Sequence, residues 1–221
     1  MKKTFLLCAI IIALLFVACE KEKEFVTYSF TSDDRLKLLL HYIEGKFFSF
    51  GDDERKFKVI GIRQLVRQNV DFAGKSGTDK HYFYYEEKQI TLEDYESGRQ
   101  YTLRIRRYPI NVQEAEDNPY KKYPSRLSLN IDGHRYPYNV YDVSKNRYSE
   151  SFSYGDATTT LSANGLTFTK VHILDRSRYR DDWQGYFGSM FNEAYYTYFD
   201  EDYGIVGFDS FAGTQLRLEN K

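Results

Sequence analysis

A period of two in the hydrophobic pattern, interrupted by turn-forming residues, constrains the fold of this chain more than any other feature of its sequence. From residue 46 onward, aromatic and β-branched residues alternate with polar ones, as they do along strands with one buried and one solvated face. The turn signals are Gly51-Asp52-Asp53, Gly74-Lys75-Ser76-Gly77, Glu96-Ser97-Gly98, Asp132-Gly133, Asn164-Gly165 and Ala212-Gly213. The pattern predicts a single all-β, mainly antiparallel domain that forms a barrel or a sandwich.

Two of these turns predict particular hairpins, because Asp-Gly and Asn-Gly supply the positive φ that two-residue type I′ turns need. The predicted strand pairs are residues 126–131 with 135–140 across Asp132-Gly133, and residues 158–161 with 166–171 across Asn164-Gly165. Pro137 makes its strand an edge, because proline cannot donate a hydrogen bond to a neighbouring strand.

The carboxyl-terminal part of the sequence predicts a meander of three strands, at residues 194–199, 203–208 and 214–218. A succession of hairpins is typical of up-and-down barrels, so a lipocalin-like barrel is the first architectural expectation. The polar stretch at residues 111–119 has neither strand nor helix periodicity, which predicts a long loop and a candidate for function.

One short amphipathic helix is predicted before the strands. Ser32-Asp33-Asp34 supplies the amino-terminal cap signal and Gly45 the carboxyl-terminal stop. The apolar positions between them follow a helical spacing and are Leu36, Leu39, Leu40 and Ile43. The alternative is that Leu38-Leu39-Leu40 opens a buried strand.

The first 18 residues predict a cleaved secretory signal. Two lysines precede an apolar run at residues 5–16, which is too short for the roughly 20 residues that span a bilayer. Val17-Ala18-Cys19 resembles the lipobox of bacterial lipoproteins, with Phe16 where the lipobox usually carries Leu. The resemblance implies that Cys19 becomes the first mature residue and is acylated on its sulfur and its amino group. The predicted organisation is a signal peptide at 1–18, a lipidated tether at 19–30 and one domain at 31–221.

The same resemblance implies a location. Glu20 follows the cysteine in place of the Asp that favours retention in the inner membrane of enteric bacteria, so the outer membrane is expected. The charged residues 20–24 are similar to segments that direct some Bacteroidota lipoproteins to the cell surface, and the periplasmic face is the alternative. The chain as a whole resembles Bacteroidota lipoproteins of unknown function. The membrane is therefore an expected partner, through the lipid anchor.

Charge and cysteine content exclude several functional classes. The net charge is −1, and no concentrated stripe of Lys and Arg is present, so nucleic acid is not an expected partner. The alternating Arg104 and Arg106 are interpreted as one exposed strand face. Cys8 leaves with the signal and Cys19 is acylated, so thiol chemistry is excluded. The four histidines show no ligand spacing, so neither a metal site nor a cofactor is predicted.

Aromatic residues are in marked surplus, with 21 Tyr and 17 Phe. A Tyr-rich sheet with one solvated face explains them, and so does an exposed platform for a ligand. The densest candidate site lies within residues 175–187, where charged groups surround the only Trp. Its candidate ligand-binding residues are Arg178, Asp181, Asp182, Trp183 and Tyr186. A surface loop whose Trp packs over the domain is the alternative interpretation.

Three functions are compatible with these observations. The leading hypothesis is a non-catalytic binding protein for a glycan, a peptide or an apolar small molecule. The second is a polysaccharide hydrolase that uses the carboxylates Asp175, Asp181 and Asp182 near Trp183. The third is a structural subunit that docks on an outer-membrane protein through an edge strand, either the one with Pro137 or the last one.

Overall fold

The computed structural model describes residues 23–36, 38–51, 55–71, 80–132, 139–142, 147–149, 152–175, 194–210 and 212–219. These residues form a mostly antiparallel β fold with two curled sheets, which confirms the all-β prediction. The two short helices are α1 (Ser32–Leu36) and α2 (Val112–Asp117).

The strands are β1 (Thr27–Tyr28), β2 (Phe47–Phe50), β3 (Arg55–Asp71), β4 (Lys80–Asp94), β5 (Gln100–Pro109), β6 (Ser125–Asp132), β7 (Asn139–Asp142), β8 (Arg147–Ser149), β9 (Phe152–Ser153), β10 (Thr159–Ala163), β11 (Leu166–Asp175), β12 (Ala194–Asp200), β13 (Gly204–Ser210) and β14 (Gln215–Arg217).

The first sheet has the order β2-β3-β4-β5-β6-β9, and its strands pair antiparallel. The strand β1 joins the sheet separately, where it pairs parallel with β4 at Tyr84 and Tyr85. The strands β3 and β4 form a hairpin that is longer than the neighbouring strands. The strand β5 pairs only with the part of β4 from Glu87 to Glu93. The remainder of β4 therefore extends beyond β5 and is supported by β1.

The second sheet has the order β14-β13-β12-β11-β7-β8, with β10 paired to β11 outside this path. An isolated bridge between Phe50 of β2 and Leu218 joins it to the first sheet. Two further backbone hydrogen bonds reinforce this seam, from the Gly51 N–H to the Arg217 carbonyl at 3.1 Å and from the Glu219 N–H to the Ser49 carbonyl at 3.1 Å. The two sheets thus meet along the β2–β14 seam.

One hydrophobic core fills the space between the sheets. The ring of Phe208 from the second sheet lies 5.1 Å from the ring of Phe50 and 5.8 Å from that of Phe57, both from the first sheet. All three side chains are fully buried. Each buried ring of this size stabilises the fold by about 1.5–3 kcal/mol through the hydrophobic effect alone. The core therefore holds both sheets in one unit.

The hairpin predicted at Asn164-Gly165 is confirmed. The strands β10 and β11 pair antiparallel, and the φ values of Asn164 (51°) and Gly165 (72°) are both positive, as a type I′ turn requires. The predicted carboxyl-terminal meander is also confirmed, because β12 pairs with β13 and β13 pairs with β14.

The hairpin predicted at Asp132-Gly133 is wrong. The strand β6, which contains residues 126–131, pairs with β5 on one side and β9 on the other. The end of the predicted returning strand lies in the second sheet, where Val140 of β7 pairs with Leu174 of β11. The chain thus crosses between the sheets at this point. Pro137 itself lies outside the described residues.

The predicted amphipathic helix is confirmed only in its first turn, since α1 ends at Leu36. Leu39 has a φ of 48°, a left-handed conformation that a helix does not accommodate. Leu38, Leu39 and Tyr42 are buried, whereas Leu40 and Ile43 are exposed. The segment after α1 therefore inserts into the core as an irregular chain instead of presenting one helical face.

Tyr42 anchors this irregular segment to the second sheet. Its buried hydroxyl accepts a hydrogen bond from the Ile205 N–H at 3.1 Å. Gly204, with a φ of +80°, lies so close that a Cβ there would be 2.4 Å from the Tyr42 hydroxyl oxygen. Only glycine fits both the backbone angle and the space at this position.

The long loop predicted at residues 111–119 is wrong in part, because α2 occupies six of these residues. Asn111 caps the helix, since its side chain accepts a hydrogen bond from the Glu114 N–H at 3.3 Å. Ala115 is the buried residue that fixes α2 against the first sheet. A helix this short shows too few turns for its periodicity to be recognised in sequence.

Candidate functional site

The residues predicted for lipidation and ligand binding lie outside the part of the chain that the structure describes. These residues are Cys19, Arg178, Asp181, Asp182, Trp183 and Tyr186. Asp175, the remaining carboxylate of the hydrolase hypothesis, is described and is buried at the end of β11. The site proposed from sequence thus stays a prediction.

The histidines that the structure describes have structural surroundings. The Nε2 atom of His41 lies 2.9 Å from the Tyr203 carbonyl oxygen, and burial lowers the pKa of the imidazole. His172 is buried on β11, with its Nε2 atom 3.0 Å from a carboxylate oxygen of Glu201. His81 is exposed on β4 beside Gln68. Among the described residues, no group of His, Cys, Asp and Glu is arranged to hold a metal ion.

Three acidic residues, Asp200, Glu201 and Asp202, lie where the chain turns from β12 into β13. A carboxylate oxygen of Asp200 accepts hydrogen bonds from the N–H groups of Asp202 (2.9 Å) and Tyr203 (3.1 Å). Asp202 forms an ion pair with Lys170 at 2.8 Å. The acidic side chains of this turn therefore stabilise the turn and tie it to β11.

The outer face of the first sheet, turned away from the core, carries a group of charged side chains that come together in space. Residues directly opposite each other in an antiparallel sheet share a face, so the register defines rows of neighbours. The rows that contain arginine are Arg63–Gln89–Arg104–Asn130, Leu65–Glu87–Arg106–Ser128, and Arg67–Tyr85 followed by Tyr108–Arg126. We call the surface formed by these three rows the arginine face.

Glu87 lies at the centre of the arginine face, and its side chain is completely buried. The Arg106 Nε donates to one carboxylate oxygen at 2.7 Å, and the Arg104 Nη1 donates to the other at 3.3 Å. The Arg67 Nε is 3.6 Å away and the Gln89 Nε2 donates at 2.5 Å. Three guanidinium groups from β3 and β5 thus converge on one carboxylate from β4.

The environment of Glu87 keeps its carboxylate ionised. Burial alone would raise the pKa of Glu87, but hydrogen bonds from Gln89 and Arg106 and the charges of Arg106 and Arg104 outweigh it. The net effect places the pKa of Glu87 below the usual range of a glutamate. One negative charge among three positive ones leaves the arginine face with an excess of positive charge.

Tyrosines cluster beside the arginines, at the end of the face where α2 packs and where β1 joins the sheet. The ring of Tyr108 lies 4.9 Å from Tyr85 and 5.3 Å from Phe83, and Tyr28 lies 5.3 Å from Phe83. The guanidinium of Arg106 lies 5.9 Å from the Tyr85 ring centre. Burial raises the pKa of Tyr108 to about 12, so this hydroxyl stays protonated at physiological pH.

A groove of about 270 Å³ opens between this tyrosine cluster and the arginines. Its walls come from β5, β6 and the amino-terminal end of α2, and its lining residues are Arg106, Tyr108, Pro109, Ile110, Val112, Arg126, Ser128 and Asn130. Arg126 forms an ion pair with Asp156 at 2.9 Å, which holds the guanidinium group in place. The groove is thus polar on the sheet and apolar on the α2 side.

The sequence carries only a faint signal of this site. Arg104 and Arg106 alternate along β5, and their interpretation as one strand face is confirmed by their shared position opposite Gln89 and Glu87. Glu87 shows no sequence signal, because it looks like any charged residue on a solvated face. Its burial follows from arginines that only the register of three strands brings together.

In the described part of the chain, the helices are all too short and too polar to span a membrane. Comparison of the sequence and structure with protein-family models, curated proteins and solved structures finds no match to any of them.

Proposed function

We propose that this chain is a non-catalytic binding protein that captures an anionic ligand in the groove of the arginine face. The observation that carries the proposal is the pair Arg106 and Arg126, which line one groove together with Tyr108. Guanidinium groups present a planar fork of donors that matches carboxylate, sulfate and phosphate oxygens. An anion between the two arginines would therefore be bound by charge and by directed hydrogen bonds.

The arginines are held in place before any ligand arrives. Glu87 binds Arg106 at 2.7 Å, and Asp156 binds Arg126 at 2.9 Å. A fixed side chain loses little conformational entropy on binding, and entropy lost on ordering an interface weakens affinity. Two carboxylates thus act as internal supports for the cations that face the groove.

The same contacts support a binding role over a catalytic one. A glycosidase needs one carboxyl group that is protonated at working pH, so that it can act as a general acid. Glu87 is ionised, buried and occupied by three arginines, which is the opposite arrangement. Asp156 is bound by Arg126. These carboxylates suit the positioning of arginines and not proton transfer.

The expected location fits this function. A lipid anchor at Cys19 would hold the domain at the outer membrane, on the periplasmic face or the cell surface. Binding at a fixed membrane site concentrates a ligand there without any need for turnover.

Titration calorimetry of the full chain in mild detergent tests the proposal. The probes are inorganic phosphate, sulfate and digalacturonate, with uncharged galactobiose as the matched sugar. We expect at least one anion to bind and galactobiose not to bind, and the affinity to fall as the salt concentration rises because salt screens exposed charges.

Two substitutions and one control locate the site. Arg106→Gln and Arg126→Gln should each weaken binding by about tenfold or more, the value of one charge-assisted hydrogen bond. Arg99→Gln removes the same charge from an exposed turn between β4 and β5 and should leave the affinity unchanged. Equal losses in all three variants, or no binding of any anion by the unaltered chain, would contradict the proposal.

A further inference from the structure

We infer that the arginine face is one end of an extended track for a polymer, and that the polymer is an acidic glycan. This inference rests on the proposed function, because it assigns the class of ligand for the same site. The outer face does not stop at the three arginine rows. Two more rows continue along the same strands, Gly61–Thr91–Thr102–Asp132 and Phe47–Lys58–Glu93–Gln100.

The track has a blocked end and an open end. The helix α2 packs on the sheet beside Tyr108, where its Ala115 is buried together with Phe83 and with Tyr28 of β1. Four row spacings separate this end from Phe47, which corresponds to roughly 27 Å at about 6.8 Å for each pair of residues along a strand. A single small anion occupies only the groove, so the remaining length suits a chain.

The open end carries exposed rings. The side chains of Phe47 and Tyr95 are 45% and 65% exposed, and their rings meet edge to face at 5.7 Å. The Lys58 Nζ lies 5.6 Å from the Phe47 ring centre. Exposed rings held by such contacts offer flat apolar surfaces on which the C–H faces of sugar rings stack at low entropic cost.

The middle of the track offers groups that bind hydroxyls. Thr91 and Thr102 face each other in one row, and Gln89 and Asn130 flank Arg104 in the next. Hydroxyl and amide side chains both donate and accept hydrogen bonds, which matches the repeated hydroxyls of a sugar chain. The track therefore has arginines at only one end, amides and hydroxyls next, and rings at the other end. This order favours a sugar polymer that carries acid groups.

The charge balance argues against a nucleic acid of the same length. The carboxylates of Glu87, Asp156 and Glu93 lie among the arginines and Lys58. A nucleic acid carries one phosphate for every nucleotide and needs a cationic groove along its whole path. Glu93 lies in the row of Phe47, where such a strand would meet negative charge. A glycan with spaced acid groups avoids this repulsion.

The test compares a dimer and a hexamer of hyaluronan, a glycan in which only every second sugar carries a carboxylate. The full chain in mild detergent is titrated with the dimer, the hexamer and a single-stranded hexanucleotide. We expect the hexamer to bind at least tenfold more tightly than the dimer, and the hexanucleotide to bind more weakly than the hexamer.

Variants at the open end separate the track from the groove. Phe47→Ala and Tyr95→Ala should remove most of the gain in affinity of the hexamer over the dimer and leave the affinity for the dimer unchanged. Tyr120→Ala is the matched control, because Tyr120 is an exposed ring that stacks on Phe25 at 5.3 Å, away from the track. If the hexamer still binds more tightly than the dimer to the same extent in both variants, the inference of a track is overturned.

The remaining outcomes distinguish the two proposals. Equal affinity for dimer and hexamer, lost in Arg126→Gln, would overturn the track and support the groove. Binding of phosphate or sulfate without binding of either hyaluronan oligomer would have the same meaning. Tighter binding of the hexanucleotide would replace the glycan with a nucleic acid and overturn the inference. If no anion binds to the unaltered chain, both proposals are overturned.

Discussion

The carboxylate of Glu87 is the residue on which the order of the arginine face depends. It is buried, and guanidinium groups from β3 and β5 approach it from both sides. Without it, Arg67, Arg104 and Arg106 would repel one another on the same surface. Its substitution therefore reports on both the stability of the fold and the order of the site.

We expect Glu87→Gln to lower the free energy of unfolding at neutral pH by about 2 kcal/mol, because it removes a buried partner of charged groups that are themselves partly exposed. The pKa of Glu87 is lowered in the folded state. Its contribution is therefore present above the usual pKa of a glutamate and is lost as the pH falls through the folded pKa.

Urea denaturation from pH 7 to acid measures this effect. The difference between the unaltered chain and Glu87→Gln should shrink as the pH falls below about 4.5. Glu93→Gln, on the same strand and the same face, should change stability little at any pH because its hydrogen bond with Gln100 is exposed. A difference that stays constant into acid would show that the charge of Glu87 does not stabilise the fold.

Several single residues decide how far the site can be predicted from sequence. Arg104 and Arg106 are recognisable as one face because alternation is a local property of one strand. Glu87, Tyr108 and Arg126 are not, since their proximity depends on the register between β4, β5 and β6. Local pattern thus identifies faces, and only the tertiary register identifies the site.

At the scale of elements, the segment after α1 shows how a helical spacing misleads. Leu39 and Leu40 belong to the same predicted apolar stripe, yet Leu39 is 1% exposed and Leu40 is 62% exposed. The helix α1 ends at Leu36, and the left-handed φ of Leu39 prevents the helical path from resuming. Burial of Tyr42 against Gly204 favours this irregular path over a helix.

Paired substitutions test this description of the segment. Leu39→Ala should lower the free energy of unfolding by about 3 kcal/mol, because it leaves a cavity in the core. Leu40→Ala should change it by less than about 0.5 kcal/mol, as at other exposed positions. Chemical denaturation of both variants measures the difference. Equal losses at the two positions would instead indicate the continuous amphipathic helix.

The predicted turns show the same limit. Asn164-Gly165 joins strands that are neighbours in space, so its local chemistry predicts the hairpin correctly. Asp132-Gly133 has equally good turn chemistry, but β5 and β9 are the partners of β6. Nothing local to Asp132 records that both edges of β6 are already taken. Turn chemistry therefore predicts where the chain bends and not which strands pair afterwards.

At the scale of the whole molecule, the core shared by the two sheets makes them one cooperative unit. Phe50, Phe57 and Phe208 contact one another across the sheets. We expect one unfolding transition, with the same midpoint by far-UV and near-UV circular dichroism. Two separated midpoints would show that the sheets unfold independently and that the shared core does not couple them.

The β2–β14 seam has a consequence for how the chain acquires its fold. Phe50 and Leu218 come from opposite ends of the described chain, so the bridge between them forms only after most of the polypeptide has left the ribosome. Contacts between residues so distant in sequence slow the folding of β proteins. Until then β2 has an unpaired edge, and unpaired edges are where nascent β chains aggregate. Folding intermediates of this protein should therefore need a chaperone more than the finished molecule does.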